Sequence, residues 1–289
     1  MKPAFIFPCT RNYVHEARPL VRSLRKWHPD IPVYVTTVER EDHRVDMAHF
    51  EDIEHRHLSI IVAPEEGSEF RRIRTFRFKL ALDLAGEHDA LCLLDADMVL
   101  IKNIEKFFRI ASSGVIVVCS DSTILRYEKQ HFEEHHLDVP DDISVVHPFF
   151  STVPMFINPH DERAAEFFRA VWENPTGNDL ETPNRIAAAK GLGDCMVYVN
   201  SYQWTNIHHS MLKPETFARP SDDGLISYQG QHVYMIHGHW QDPRYYGGQL
   251  IEPMEKNYKS EDVVRAKHAI RAIKHVYDQY VAEGDAQWR

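Results

Sequence analysis

An uninterrupted apolar run, Ala90–Leu94, is followed directly by Asp95-Ala96-Asp97, and this junction constrains the fold more than any other part of the sequence. A run of strand length without a polar residue is typical of a central strand that is covered on both faces. In open α/β sheets, ligands bind beyond the carboxyl ends of the strands. The sequence therefore predicts a binding site at these two carboxylates.

The rest of the chain alternates between strand and helix patterns. Apolar runs predict strands at residues 4–7, 33–38, 60–63, 115–119, 149–157 and 233–236, with a further apolar element at 194–202. Apolar residues at helical spacing predict helices ending near Trp27 and covering residues 70–84, 104–110, 162–172 and 261–281. This alternation indicates an α/β fold.

The composition is that of a globular domain. Of the 289 residues, 43% are apolar, and no Pro/Ser/Gly-rich linker interrupts the pattern. We therefore expect one elaborated domain over residues 1–289. The polar stretch 120–148 is expected to be an insertion that packs over the sheet edge, and residues 255–289 a C-terminal helical extension.

Charge and apolar patterning limit the partners and the compartment. A formal net charge of −10 with scattered basic residues argues against nucleic acid as a partner. No signal-peptide pattern opens the sequence, and no segment approaches the roughly 20 apolar residues of a membrane span. Four widely spaced cysteines indicate reduced thiols. We therefore expect a cytoplasmic protein without a transmembrane segment.

The Asp95-Ala96-Asp97 motif is expected to bind a divalent cation. Two aspartates at the end of a buried strand are costly unless a positive charge neutralises them. Carboxylates one residue apart can share Mg²⁺ or Mn²⁺ and leave coordination positions open for phosphate oxygens. The alternative is a structural role in a turn or a helix cap.

His237 is the third candidate metal ligand, because it follows the apolar run 233–236 at the end of a predicted strand. Imidazole suits Mn²⁺ better than Mg²⁺, so its participation would favour manganese. Its alternative role is that of a core or capping histidine.

Two stretches, Lys79–Leu82 and Leu93–Leu100, resemble the donor-binding signature of GT-A glycosyltransferases, and the closest likeness is to the glycogenin-like, galactosyltransferase-like family 8. The resemblance implies a GT-A nucleotide-diphospho-sugar transferase fold, in which a Rossmann-like mixed sheet is flanked by helices. It also implies a UDP-hexose donor, bound Mn²⁺ and transfer of the sugar to an acceptor that the sequence does not identify.

The resemblance assigns roles to particular residues of this sequence. The metal ligands would be Asp95, Asp97 and His237, and the catalytic residues Asp194, which orients the sugar hydroxyls, and Lys79, which stabilises the leaving diphosphate. The residues implied to contact the nucleotide sugar are Thr10, Arg11, Asn12, Arg77, Lys79, Asp95, Ala96, Asp97, His237 and Arg244.

The sequence departs from the family pattern at three places. Phe150–Pro154 stands where the family has an Asn-x-Gly strand, Asp194-Cys195 replaces an Asp-Gln pair, and Arg244 is only near the position of the usual basic phosphate ligand. These departures leave a non-catalytic nucleotide-sugar-binding protein as one alternative.

A sugar-phosphate nucleotidyltransferase is another alternative. Such enzymes usually carry a glycine-rich phosphate loop after the first strand, because backbone N–H groups must approach the triphosphate closely. Pro8–Asn12 contains no glycine.

The family mechanism would retain the anomeric configuration of the sugar. An inverting mechanism would instead require a general base, for which Asp194 is the candidate.

Overall fold

The computed structural model describes residues 1–53, 56–64, 69–138, 144–174, 176, 178–200, 218–222, 224–227, 230, 232–242, 252–257 and 259–288. The chain begins with strand β1 (Pro3–Pro8), helix α1 (Val14–Trp27), strand β2 (Val33–Thr37) and strand β3 (Leu58–Val62). Helix α2 (Glu69–Asp83), strand β4 (Ala90–Leu93) and the short strand β5 (Met98–Leu100) complete the first part.

The elements of the second part begin with helix α3 (Glu105–Ala111), strand β6 (Ile116–Glu128), helix α4 (Lys129–Glu133) and strand β7 (Ser144–Ile157). They continue with helices α5 (Glu162–Glu173) and α6 (Glu181–Ala189), followed by strands β8 (Met196–Asn200), β9 (Ala218–Ser221), β10 (Gly224–Ser227) and β11 (Met235–His237). Helices α7 (Glu252–Asn257) and α8 (Ser260–Asp278) come last.

A mixed sheet of seven strands, in the order β3-β2-β1-β4-β7-β6-β8, forms the centre of the described structure. β7 runs antiparallel to β4 and β6, and the other neighbouring pairs are parallel. The mixed α/β architecture predicted from the sequence is therefore confirmed. The carboxyl ends of β1 and β4 emerge side by side, because Ile6 pairs with Leu93.

The central strands are buried on both faces, as the apolar run predicts. All of Ala90–Leu94 is inaccessible to solvent (0% exposed). Cys92 and Leu94 belong to the apolar core that includes α1 and α3, whereas Leu91 and Leu93 belong to the core that includes α2, α5 and α6. Helices on both faces thus exclude water from the strand that ends at Asp95.

Helix α1 covers one face because its apolar residues recur at helical spacing. Val14, Ala17, Val21 and Leu24 are fully buried against the first core. An amphipathic stripe of this kind gains stability mainly from packing rather than from intrinsic propensity.

Residues 120–128 and 144–148, expected to lie in an insertion over the sheet edge, instead lengthen β6 and β7 as an antiparallel pair. The pairing shifts register between Val118 and Cys119 and again between Ser120 and Ile124. Such irregularities bend a strand and increase its twist. The outer half of the pair packs through Tyr127 against Phe132 and Ala188.

The C-terminal helix α8 packs on two small sheets, formed by β9 with β10 and by β5 with β11. Its buried stripe of Ala266, Ala269, Ile270, Ile273 and Tyr277 shares a core with Trp240 and Val99. Among the described residues, no helix combines the length and the apolar character needed to cross a bilayer.

Ion pairs connect the segment after α8 to helix α1. Arg18 Nε and Arg22 Nη1 each lie 2.6 Å from a carboxylate oxygen of Asp285, which is fully buried. Buried charges of this kind persist only when they are paired and hydrogen-bonded. The end of the described chain is therefore fastened to the helix that follows β1.

His28, which ends α1, makes the fold sensitive to acid. Burial lowers the pKa of His28 to about 4, and its Nε2 accepts a hydrogen bond from the backbone N–H of Ile104 at 3.2 Å. The folded pKa lies below the unfolded value of about 6.5, so between these pH values only the unfolded state binds the proton. Stability is therefore lost as pH falls from about 6.5 toward about 4.

We expect His28→Gln to flatten this dependence, because glutamine can accept the same hydrogen bond without titrating. The contribution of His28 to the free energy of unfolding should fall by about 3 kcal/mol across the window, and the variant should lack this contribution. Urea unfolding at a series of pH values measures this. The exposed His160→Gln is the control, and an equal slope in wild type and His28→Gln would contradict the expectation.

Candidate active site

The two aspartates of the motif lie in the tight connection between β4 and β5. Leu94 continues the sheet pairing, since its N–H donates to the carbonyl of Ile6 at 2.8 Å. The N–H of Met98 then donates to the carbonyl of Asp95 at 3.3 Å, which closes the turn. Asp95 and Asp97 thus emerge at the carboxyl edge of the sheet, where the sequence predicts a site.

His237 reaches these carboxylates through the antiparallel pairing of β11 with β5. His237 pairs with Met98, and the N–H of Gly238 donates to the carbonyl of Asp97 at 3.0 Å. Gly238 has φ +127°, a value that a residue with a Cβ adopts only with strain. The chain therefore turns at Gly238, directly after His237.

Asp95, Asp97 and His237 form a compact cluster in which one ligand atom of each lies within 4.8 Å of the others. His237 Nε2 is 3.2 Å from Asp97 Oδ1 and 3.7 Å from Asp95 Oδ2. Two carboxylates and one imidazole are a donor set that suits Mn²⁺ and other divalent metals. The residues present fit a divalent cation.

The pKa values of this cluster are set by mutual attraction. Burial by itself would lower the pKa of His237, but the charges of Asp97 and Asp95 outweigh burial and raise it to about 9. Burial likewise opposes the charged form of Asp97, yet the charge and hydrogen bond of His237 hold the pKa of this carboxyl well below its usual range.

Arg77 on α2 provides a positive charge beside the carboxylates at this edge of the sheet. Its side chain is fully buried (0% exposed), and Nη1 donates to Asp95 Oδ1 at 2.6 Å. Nη2 lies 3.2 Å from Asp179 Oδ2 and 3.4 Å from Thr152 Oγ1. Arg77, which the resemblance implies to contact the nucleotide sugar, thus lies beside the cluster.

Asp179 lies beside the cluster, and the sequence did not single it out. It lies directly before α6, and besides Arg77 it faces Arg74, whose Nη1 is 3.5 Å from Asp179 Oδ1. A signal for it exists in the sequence, because Asp179 stands shortly before residues 181–189, whose apolar residues recur at helical spacing. Glu181–Ala189 is that helix, and it was not predicted.

Lys79 does not join the cluster, which corrects the expectation that it contacts the diphosphate. Lys79 Nζ pairs with Asp83 at 2.6 Å on a solvent-facing side of α2. Two residues along an α-helix turn the side chain by about 200°. Since Arg77 points into the site, Lys79 points away from it.

The structure also does not bring Asp194 to the cluster. The residue is exposed and lies just before β8, which pairs with β6 in parallel from Ile116 onward. Because β8 runs parallel to β4 and β1, its beginning lies at the amino edge of the sheet, opposite Asp95 and Asp97. The expectation that Asp194 orients a sugar at the metal is therefore corrected.

A cavity of about 220 Å³ opens beside the cluster. It is lined by Pro8, Cys9, Thr10, Tyr13, Ile73, Arg74, Asp95, Ala96, Asp97, His237 and His239. Thr10 and Ala96, both expected at the site, are thus on its wall, and Thr10 Oγ1 donates to Asn12 Oδ1 at 2.6 Å. Arg11 and Asn12 are exposed beside it. Arg244 lies outside the described residues.

Comparison with solved structures identifies the architecture. The galactosyltransferase LgtC, solved with donor and acceptor sugar analogs, is similar to this chain with a TM-score of 0.51 at 13% identity, over 93% of this chain and 95% of LgtC. The chain has the GT-A glycosyltransferase fold. In this fold, Asp95-Ala96-Asp97 lies directly after β4 at the carboxyl edge of the sheet.

Two further solved glycosyltransferases are similar to this GT-A chain. The bifunctional glycosyltransferase WbbM matches 92% of this chain with a TM-score of 0.49 at 12% identity, and the chain spans 51% of WbbM. Mouse xyloside xylosyltransferase 1 matches 84% of this chain and 99% of its own, with a TM-score of 0.45 at 13% identity. No protein-family model and no curated protein sequence matches the chain.

The different environments of Arg77 and Lys79 predict different effects of their removal. Arg77→Gln should lower the free energy of unfolding by on the order of 3 kcal/mol, because it removes a buried cation from two partly buried carboxylates. Lys79→Gln removes an exposed pair and should cost less than about 1 kcal/mol. Urea unfolding of both variants measures this, and equal losses would contradict the assignment of Arg77 to the site.

Proposed function

We propose that the chain is a metal-dependent glycosyltransferase that moves a sugar from a nucleotide-diphosphate donor, a UDP-hexose, to an acceptor. The observation that carries the proposal is the convergence of Asp95, Asp97 and His237 within 4.8 Å at the carboxyl edge of a GT-A sheet. The cavity beside them offers a space for the donor. The likeness in fold to glycosyltransferases supports the reaction class.

In this proposal, Asp95, Asp97 and His237 hold a divalent cation, preferably Mn²⁺, which when bound neutralises the charge that develops on the leaving nucleoside diphosphate. Arg74, half exposed on the cavity wall, adds positive charge on the same side. Arg77 holds Asp95 in place. Thr10 and Tyr13, after β1, line the part of the cavity that we assign to the nucleoside.

Asp179 takes the role that the sequence suggested for Asp194. Its carboxylate contacts Arg77 and Arg74, which lie beside the cluster. We propose that Asp179 orients the hydroxyl groups of the donor sugar. Retention of the anomeric configuration, the outcome in the family that the motif resembles, completes the proposal. NMR of the product determines the configuration, and inversion would make Asp179 the candidate general base instead.

Donor hydrolysis tests the proposed reaction. A panel of nucleotide sugars is incubated with Mn²⁺, with Mg²⁺ and with chelator, and release of the nucleoside diphosphate is measured. We expect release from a UDP-hexose that requires the metal, and a loss of at least about a hundredfold in Asp97→Asn. Asp194→Asn is the matched control, because that carboxylate lies at the opposite edge of the sheet.

The outcomes separate the alternatives. Formation of pyrophosphate from a nucleoside triphosphate and a sugar phosphate would indicate a nucleotidyltransferase. Donor binding without release would indicate a non-catalytic binding protein. Release that is insensitive to chelator and to Asp97→Asn would refute the metal site.

Asp179→Asn tests the assignment of the sugar-orienting carboxylate. We expect a lower kcat for donor hydrolysis with an unchanged affinity for Mn²⁺, because Asp179 contacts Arg77 and Arg74 rather than the metal ligands. Steady-state kinetics together with a Mn²⁺ titration measure the two effects. A loss in Asp194→Asn rather than in Asp179→Asn would restore the assignment made from the sequence.

A further inference from the structure

A buried carboxylate lies behind the proposed metal site. Glu16, on the first turn of α1, exposes only 1% of its side chain. The hydroxyl of Tyr277 on α8, which is fully buried, donates a hydrogen bond of 2.7 Å to Glu16 Oε2. A carboxylate buried this deeply is costly unless polar partners compensate it. The nearby amino end of α1 also favours its negative charge.

His239 lies between this carboxylate and the metal ligand Asp97. Its Nδ1 is 3.8 Å from Glu16 Oε1 and 3.7 Å from Asp97 Oδ2. The same ring lines the cavity and is 6.0 Å from the ring of Tyr13, centroid to centroid. Contacts therefore run from α8 through Tyr277, Glu16 and His239 to Asp97.

A second contact holds the loop that carries His239. Gln241 Nε2 donates to the backbone carbonyl of His15 at 2.5 Å, next to Glu16 in the sequence. The loop after β11 is thus fastened to α1 on both sides of Trp240, which is itself fully buried. This contact holds the backbone that carries His239 against α1.

We propose that Tyr277 and Glu16 are positioning residues that hold His239 against Asp97, so that the C-terminal helix α8 sets the affinity of the site for a divalent cation. This inference rests on the proposed metal-dependent function. Groups that orient the ligands of a metal from behind typically change metal affinity by about 10–100-fold when they are removed. Asp97 is the ligand on which this chain of contacts acts.

Titration with Mn²⁺ alone, followed by the EPR signal of the free aqueous ion, tests the proposal without a donor or turnover. Tyr277→Phe and Glu16→Gln should each weaken Mn²⁺ binding by about tenfold. Tyr280→Phe is the matched control, because that buried hydroxyl accepts from the indole of Trp27 at 3.2 Å and not from the site. Circular dichroism and thermal unfolding confirm that each variant is folded.

A double-mutant cycle distinguishes positioning from a general loss of packing. His239 is 38% exposed, so His239→Ala is expected to fold and to weaken Mn²⁺ binding by a similar factor. In that background, Tyr277→Phe should have no further effect, because its action passes through His239. If Tyr277→Phe binds Mn²⁺ as the wild type does, or adds its full effect to His239→Ala, the positioning role is overturned.

The same titration separates the two proposals. If the wild type and Tyr277→Phe bind Mn²⁺ equally well, only the positioning role is overturned. A wild type that does not bind Mn²⁺ overturns the metal-dependent function, and the positioning role with it.

Discussion

The buried guanidinium of Arg77 is the interaction on which the carboxyl edge of the sheet depends. Asp95 and Asp179 come from different parts of the chain, and their charges would repel each other without a cation between them. Arg77 contacts both from inside the protein, at 2.6 and 3.2 Å, where solvent screens the attraction least. The position of Asp95, and hence the geometry of the proposed metal site, follows from its own contact with Arg77.

The site is completed by the last third of the described chain. β5 is only three residues long and has β11 as its partner, so the position of His237 depends on this short antiparallel pairing. α8 covers the back of that small sheet and donates from Tyr277 to Glu16. Helix and sheet thus stabilise each other, and the same packing that stabilises the fold also orders the proposed metal ligands.

The two faces of the central sheet contribute different kinds of side chain to the site. α2 contributes Arg74 and Arg77, which bring positive charge to the site from one face. α1 and the loop after β11 contribute Glu16, His239 and Gln241 from the other side. A cation held between these groups would meet carboxylates directly and arginines one layer away. This arrangement suits binding of an anionic diphosphate together with a metal.

The sequence by itself determined the α/β class, the central buried strand and the presence of Asp95, Asp97 and His237 at strand ends. These features are local, since an apolar run and the polar residue that ends it are adjacent in the chain. Only the tertiary structure decided between Arg77 and Lys79, because a helix whose apolar residues are interspersed with several basic ones does not reveal which of them faces inward. It also decided between Asp179 and Asp194, because strand order and direction determine at which edge of a sheet a residue emerges. The roles proposed for Glu16 and Tyr277 rest on a contact between residues 261 positions apart, for which neither spacing nor composition carries a signal.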